Sequence, residues 1–128
     1  MRAATRQAMS AIGILALLLS LLPGRVAAHA FPERFDPPVG AVLTTAPTQV
    51  RIWFDGDLEP AFSTIIVTDS AGQHVDQGNA QVDPKNRRLL AVTLTALPPG
   101  VYKVVWRVLA VDGHRTQGDF RFTLKPAQ

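Results

Sequence analysis

The chain has 128 residues, contains no cysteine, and carries a formal charge of +3 from 13 basic and 10 acidic residues. Without cysteine it has no disulfide, no thiolate nucleophile and no thiolate metal ligand. Three of the basic residues, Arg2, Arg6 and Arg25, lie in the first 28 residues, so the remainder carries ten basic against ten acidic side chains. This balance does not indicate a nucleic-acid-binding surface, and we expect no nucleic acid partner.

Residues 1–28 have the three parts of a secretory signal peptide. Two arginines give a positive start, residues 11–22 form an apolar core of 12 residues, and residues 26–28 (VAA) are the small residues that a signal peptidase reads. Twelve apolar residues are too few to cross a hydrocarbon layer of about 30 Å, which needs about 20 residues, and this disfavours an uncleaved membrane anchor. We therefore expect cleavage after Ala28, which leaves residues 29–128 as one exported domain.

The remaining chain predicts short strands separated by turn signals, with no helical period of useful length. The strand-like segments are 48–54, 62–69, 79–83, 87–94, 101–112 and 118–124, and residues 29–36 fit an edge strand. About seven strands in 100 residues predict an all-β fold, a two-sheet antiparallel β-sandwich of the immunoglobulin-like kind. Since no disulfide crosses the core, we expect Trp53, Trp106 and the phenylalanines to fill more of it.

Three histidines, His29, His74 and His114, remain as candidates for chemistry. Neither of the two serines after the signal lies in a G-x-S-x-G nucleophile elbow, and no phosphate-binding glycine pattern occurs. Both methionines precede residue 29, so the processed protein would have no sulfur ligand at all.

His29 becomes the first residue if the chain is cut after Ala28. Its free α-amine and its imidazole Nδ1 can then close a six-membered chelate ring on one metal ion. A free α-amine has a pKa of about 8, low enough for a strongly Lewis-acidic metal to displace its proton near neutral pH. The alternative is that histidine stands first by chance.

Asp112 and His114 lie two residues apart in the stretch AVDGHRTQGDF. In an extended segment their side chains would share a face, and if the chain turns at Gly113 they can still converge at one end of the sandwich. The alternative is a simple hairpin turn with a solvated histidine, because Asp-Gly is a strong turn signal. With His29 they supply three nitrogens and one carboxylate oxygen, a set that suits Cu(II) and that Zn(II) would also accept.

The other polar candidates have simpler explanations. His74 is expected in a solvated loop, and Asp55 and Asp57 serve either as supporting or axial groups at the site or as an ordinary polar turn.

The chain after residue 28 resembles the CopC-type family of periplasmic copper-binding proteins. The resemblance rests on three stretches: HAFPERFDPPVGAVL, VRIWFDGDLEPAFSTIIV and, most specifically, LPPGVYKVVWRVLAVDGHRTQGDFRFTL. It implies a small Greek-key β-sandwich that binds Cu(II) through His29, Asp112 and His114. It also implies a copper carrier or buffer that exchanges copper with a CopD-type inner-membrane transporter. We expect the protein to be a monomer, and we do not expect it to be an enzyme.

Two features depart from the family pattern. The loop SAGQHVDQGNAQV has no methionine, so the methionine-rich Cu(I) site of some members is absent and a single Cu(II) site is expected. Many members have a glutamate near the copper where this chain has Asp55-Gly56-Asp57, which leaves a further carboxylate ligand in doubt.

An enzyme is the competing hypothesis, because an N-terminal histidine paired with a second histidine also forms the copper brace of lytic polysaccharide monooxygenases. Those enzymes are generally longer and have a flat aromatic binding face, whereas most aromatic residues here follow strand patterns that indicate core. A bound Asp112 would also occupy a coordination position that oxygen activation needs. A structural sandwich with incidental metal affinity is a third reading.

Overall fold

The structure, a computed structural model, describes residues 29–127. The predicted signal peptide, residues 1–28, lies outside the described residues. Within them there are eight strands: β1 Pro32–Asp36, β2 Val42–Leu43, β3 Gln49–Phe54, β4 Thr64–Thr68, β5 Gln81–Asp83, β6 Asn86–Thr93, β7 Gly100–Leu109 and β8 Arg115–Leu124. One short 3-10 helix, Pro60–Phe62, precedes β4. None of the helices in this part of the chain has the length and apolar character to cross a membrane.

The strands form two four-stranded sheets, in the orders β1-β3-β6-β5 and β2-β8-β7-β4. All neighbours pair antiparallel except β2, which pairs parallel with the end of β8. The all-β sandwich prediction is confirmed, with eight strands rather than about seven. The extra strand, β2, has two residues, too few to show the alternation from which strands are predicted.

The core lies between the sheets and is built from alternate residues of the long strands. Tyr102, Val104, Trp106 and Val108 of β7 are buried, as are Phe120, Phe122 and Leu124 of β8, because side chains two apart on a strand share a face. The sheets meet through edge-to-face ring pairs, Phe54 with Trp106 at 5.5 Å between centroids and Phe35 with Phe120 at 4.8 Å.

Two local features adapt the core. The Tyr102 hydroxyl donates a hydrogen bond to the Pro98 carbonyl four residues upstream, the arrangement of a tyrosine corner in immunoglobulin-like sandwiches. Gly118 of β8 makes room for the indole of Trp106, because a Cβ at Gly118 would lie only 2.6 Å from Trp106 Cζ2.

The expectation that Trp53 helps to fill the core is wrong. Strand alternation turns Trp53 away from its buried neighbours Ile52 and Phe54, and it is only half-buried on the outer face of β3. There the guanidinium carbons of Arg34 and Arg51 lie 4.1 and 5.1 Å from its ring centroid. Trp53 is therefore a stacking platform for two arginines rather than a core residue.

Candidate metal centre

The turn between β7 and β8 determines where Asp112 and His114 lie. The Ala110 amide donates to the His114 carbonyl at 2.9 Å, the Gly113 amide donates to the Ala110 carbonyl at 2.9 Å, and Gly113 has a φ of +91°. This left-handed conformation suits glycine. The predicted strand 101–112 therefore ends earlier, at Leu109, and the hairpin expected from Asp-Gly is present.

Within this turn the Asp112 carboxylate and the His114 imidazole face one another. The His114 amide donates to Asp112 Oδ1 at 3.0 Å, and His114 Nδ1 lies 3.2 Å from the same oxygen. The hydrogen bond from the His114 amide is the main cause that lowers the pKa of Asp112 below its ordinary value of 3.8. Desolvation opposes this shift, and the side chains of His114 and His29 add smaller contributions that lower the pKa. The carboxylate is therefore ionised near neutral pH, as a metal ligand must be.

His29 completes the cluster from the other end of the chain. Its ring lies 4.1 Å from that of His114, centroid to centroid, at an interplanar angle of 84°. One ligand atom from each of His29, Asp112 and His114 lies within 4.8 Å of the others. Two ligands bonded to one ion at about 2.0–2.2 Å are at most about 4.4 Å apart, so a small side-chain rotation suffices to fit them round an ion. The His114 side chain is 52% exposed and can make that rotation.

Two hydrogen-bonded anchors hold the residues that follow His29. The Thr116 hydroxyl donates to the carbonyl of the buried Ala30 at 2.8 Å. Asp55 Oδ1 accepts from the Phe31 amide at 2.6 Å, and the Asp55 amide donates to the Phe31 carbonyl at 2.9 Å. The hydrogen bonds to Ala30 and Phe31 therefore direct His29 toward the β7–β8 turn.

Gly56 lets this segment lie close to the loop after β3, because a Cβ there would be 3.3 Å from the His29 carbonyl oxygen. Sequence reasoning missed Thr116 as a positioning residue. Thr116 is in phase with the inward-facing Phe120 and Phe122 of β8. A polar group that faces a core requires a hydrogen-bond partner, so this position could have indicated its role.

The remaining candidates lie outside the cluster. Asp57 Oδ1 accepts from Arg88 Nε at 3.2 Å, and its carbonyl accepts from the Val111 amide at 3.1 Å, so Asp57 supports the turn through its backbone. His74 bridges to Thr68, which pairs with Lys103 near the start of β7, at the opposite end of the sandwich from the β7–β8 turn. Its imidazole is exposed, with Nδ1 3.5 Å from Asp76 Oδ2.

Fold and site together define a small β-sandwich protein with a candidate metal centre of two histidines and one aspartate at one end. The CopC domain family matches residues 33–125. The chain therefore belongs to the CopC family, as the sequence resemblance predicts, and that is a family of copper-binding proteins rather than enzymes.

Individual relatives agree with this assignment. Protein YobA of Escherichia coli (strain K12) is 33% identical over 110 residues, which cover 85% of this chain and 89% of YobA. The copper transport protein CutJ of Bacillus subtilis (strain 168) is 34% identical over 115 residues, 89% of this chain. This chain spans only about a fifth of the length of CutJ, 21%.

Two solved structures share the fold. The crystal structure of CopC from Methylosinus trichosporium OB3b has a TM-score of 0.73 and 34% identity, covering 78% of this chain and 97% of that one. PcoC, a methionine-rich copper resistance protein from Escherichia coli, has a TM-score of 0.64 and 26% identity, covering 77% of this chain and all (100%) of PcoC.

Proposed function

We propose that this protein is a periplasmic Cu(II) carrier or buffer with a single copper site formed by His29, Asp112 and His114. Cleavage after Ala28 would add the His29 α-amine as a fourth donor. The observation that supports the proposal most strongly is the convergence of ligand atoms from His29 and from a turn more than 80 positions later, all within 4.8 Å.

The donor set favours Cu(II) over the other candidate metals. Three nitrogens and one carboxylate oxygen are hard-to-borderline donors, and Cu(II) has the highest affinity for such sites among divalent first-row ions. Cu(I) prefers thiolates and thioethers, and the chain has no cysteine and no methionine after residue 28. Zn(II) would accept the same residues in a tetrahedron, so a competition titration between the two ions tests the choice.

The site suits a protein that takes up and releases its metal. It lies in an exposed turn at the end of the sandwich, and half of the His114 side chain is open to solvent. The α-amine and both imidazoles must be deprotonated to bind, so copper affinity should fall as the pH falls. Protons do not compete with copper at Asp112 near neutral pH, because its pKa is lowered and its carboxylate is already ionised.

The membrane partner we propose is a CopD-type inner-membrane copper transporter. CutJ, named as a copper transport protein, carries the region similar to this chain as 21% of its length. In CutJ a domain of this kind is therefore covalently part of a larger copper transport protein. We propose that the present domain exchanges copper with such a transporter and that it acts as a monomer.

Titration of the protein that begins at His29 with Cu(II) tests the site assignment. Replacing His114 with alanine should weaken the affinity by several orders of magnitude. It removes one ligand and also the imidazole that lies beside the Asp112 carboxylate. Replacing His74 with alanine is the matched control and should leave the affinity unchanged within about twofold. Equal losses from the two substitutions would exclude this site.

Mass spectrometry of the protein recovered from the periplasm tests the processing step. We expect a mature chain that starts at His29. A different first residue would remove the α-amine from the site and contradict the four-donor arrangement.

A further inference from the structure

Four cations share the outer face of the β2-β8-β7-β4 sheet, on its two central strands. They are Lys103 and Arg107 of β7 and Arg115 and Arg121 of β8. Strand alternation places them opposite to the buried residues of the same strands. Of the outward-facing positions of β7 and β8, all of which are described, only Asp119 carries a carboxylate. We call this surface the cationic face.

The cations of the cationic face form no ion pairs with the described residues. In the described part of the chain, none of the four cations lies within 4.0 Å of a carboxylate, whereas Arg51 and Arg88 on the other sheet are both paired. Lys103 and Arg121 are moreover direct cross-strand partners. Like charges directly opposite one another destabilise a sheet. Asp69 and Asp119 line grooves together with Lys103 but form no ion pair with it.

The net charge of the protein does not predict attraction to an anionic surface. Residues 29–128 carry ten basic and ten acidic side chains, so the protein as a whole has no net attraction for an anionic surface. The two central strands of this sheet nevertheless carry four outward-facing cations against one outward-facing carboxylate. At physiological ionic strength the screening length is about 8–10 Å, so a flat anionic surface touching this face would respond mainly to the four nearby cations.

Apolar side chains accompany the cations. Val101 of β7, Ile66 of the neighbouring strand β4 and Phe62 of the 3-10 helix are all exposed. Three grooves of similar volume, about 390, 380 and 400 Å³, are spread over this side of the protein. No single concave site dominates, whereas a folded protein partner would require a matching shape. Lipid headgroups can rearrange around scattered charges, and Lys and Arg stems extend along an apolar boundary while their heads meet phosphates.

We propose that the cationic face adsorbs reversibly to a membrane surface rich in anionic lipid. Arg115 directly follows His114, so the metal cluster lies at the end of this face rather than beneath it. An adsorbed protein would keep its metal site open at the membrane surface, where an integral membrane partner could reach it; this last point rests on the proposed function. The adsorption itself does not require copper.

Cosedimentation of the copper-free processed protein with lipid vesicles tests the proposal, using phosphatidylglycerol–phosphatidylcholine vesicles and vesicles of phosphatidylcholine alone. We expect binding only to the anionic vesicles at about 0.1 M salt, and its loss at about 1 M salt. The double substitution Lys103→Gln with Arg121→Gln should weaken binding roughly 30-fold. Since it also removes a like-charge pair, it should leave the melting temperature unchanged or higher.

The matched control removes two cations from the other side of the molecule, Arg34→Gln with Lys85→Gln, and should keep vesicle binding within about twofold. Failure of the unsubstituted protein to bind anionic vesicles would overturn the proposal, as would equal weakening by the two double variants. Cu(II) titration of the Lys103→Gln, Arg121→Gln variant should match that of the unsubstituted protein. A failed membrane proposal is thereby distinguished from a failed copper site.

Discussion

Replacing Gly118 with alanine should destabilise the sandwich, because the strand carries glycine where the Trp106 indole passes closest. A Cβ at this position would lie 2.6 Å from Trp106 Cζ2, 2.9 Å from Cε2 and 3.1 Å from Nε1. Carbon atoms normally approach to about 3.5–4.0 Å, so the indole would have to move by roughly 1 Å. Trp106 is buried and packs edge-to-face on Phe54, so a shift of the indole would disturb this contact between the sheets.

Overpacking of this kind costs about 1–3 kcal/mol, and in a domain of this size each kcal/mol lowers the melting temperature by about 4–8 °C. We therefore expect Gly118→Ala to lower the melting temperature of the metal-free protein by roughly 5–20 °C in a circular dichroism melt. Gly100→Ala is the control in the same sheet, because its Cβ would meet nothing closer than the Tyr102 hydroxyl at 3.7 Å. Equal melting temperatures for the two alanine variants would refute the steric explanation.

Three further predictions concern the site. Thr116→Val removes the donor to the Ala30 carbonyl and should weaken Cu(II) binding about five- to tenfold in a competition titration; an unchanged affinity would exclude Thr116 as a positioning residue. Asp55→Ala removes the acceptor of the Phe31 amide and should weaken Cu(II) binding about three- to tenfold. The melting temperature of the metal-free protein should change little. The folded-state pKa of Asp112 is lowered, so its stabilising contribution is present above pH 3.8 and is lost as the pH falls through the lower folded-state value. The melting temperatures of metal-free Asp112→Asn and unsubstituted protein should therefore converge on acidification below about pH 3.8, and a gap that widens instead would contradict that sign.

The sequence predicted the long strands well because their alternation reflects burial of one face. In β3, in β7 from Tyr102 onward and in β8 from Phe120 onward, every second residue is apolar and buried, and the pattern alone indicates which. Trp53 was misplaced because its residue type was given more weight than its phase within β3. The two-residue strand β2 is held by a parallel pairing to β8, and such a pairing leaves no periodic signal.

The three candidate ligands could be chosen from chemistry, because few residues in this chain offer a nitrogen or carboxylate donor in a distinctive position. The contacts that position these ligands could not be predicted from the sequence. The Thr116–Ala30 bond joins residues 86 positions apart, and the Asp55–Phe31 bond joins residues 24 apart. The cationic face was equally hidden, because a balanced charge count says nothing about which face each side chain occupies.

The most direct measurement of the central claim is a Cu(II) titration that compares the chain starting at His29 with the same chain carrying one extra glycine before it. The added residue leaves every side chain in place and converts the His29 α-amine into an amide. The new glycine α-amine lies one residue further from the imidazole and cannot close the same six-membered ring. We predict an affinity lower by orders of magnitude and a shifted visible absorption band, because the six-membered chelate at His29 is lost. An unchanged affinity and spectrum would show that the α-amine is not a copper ligand and would contradict the account.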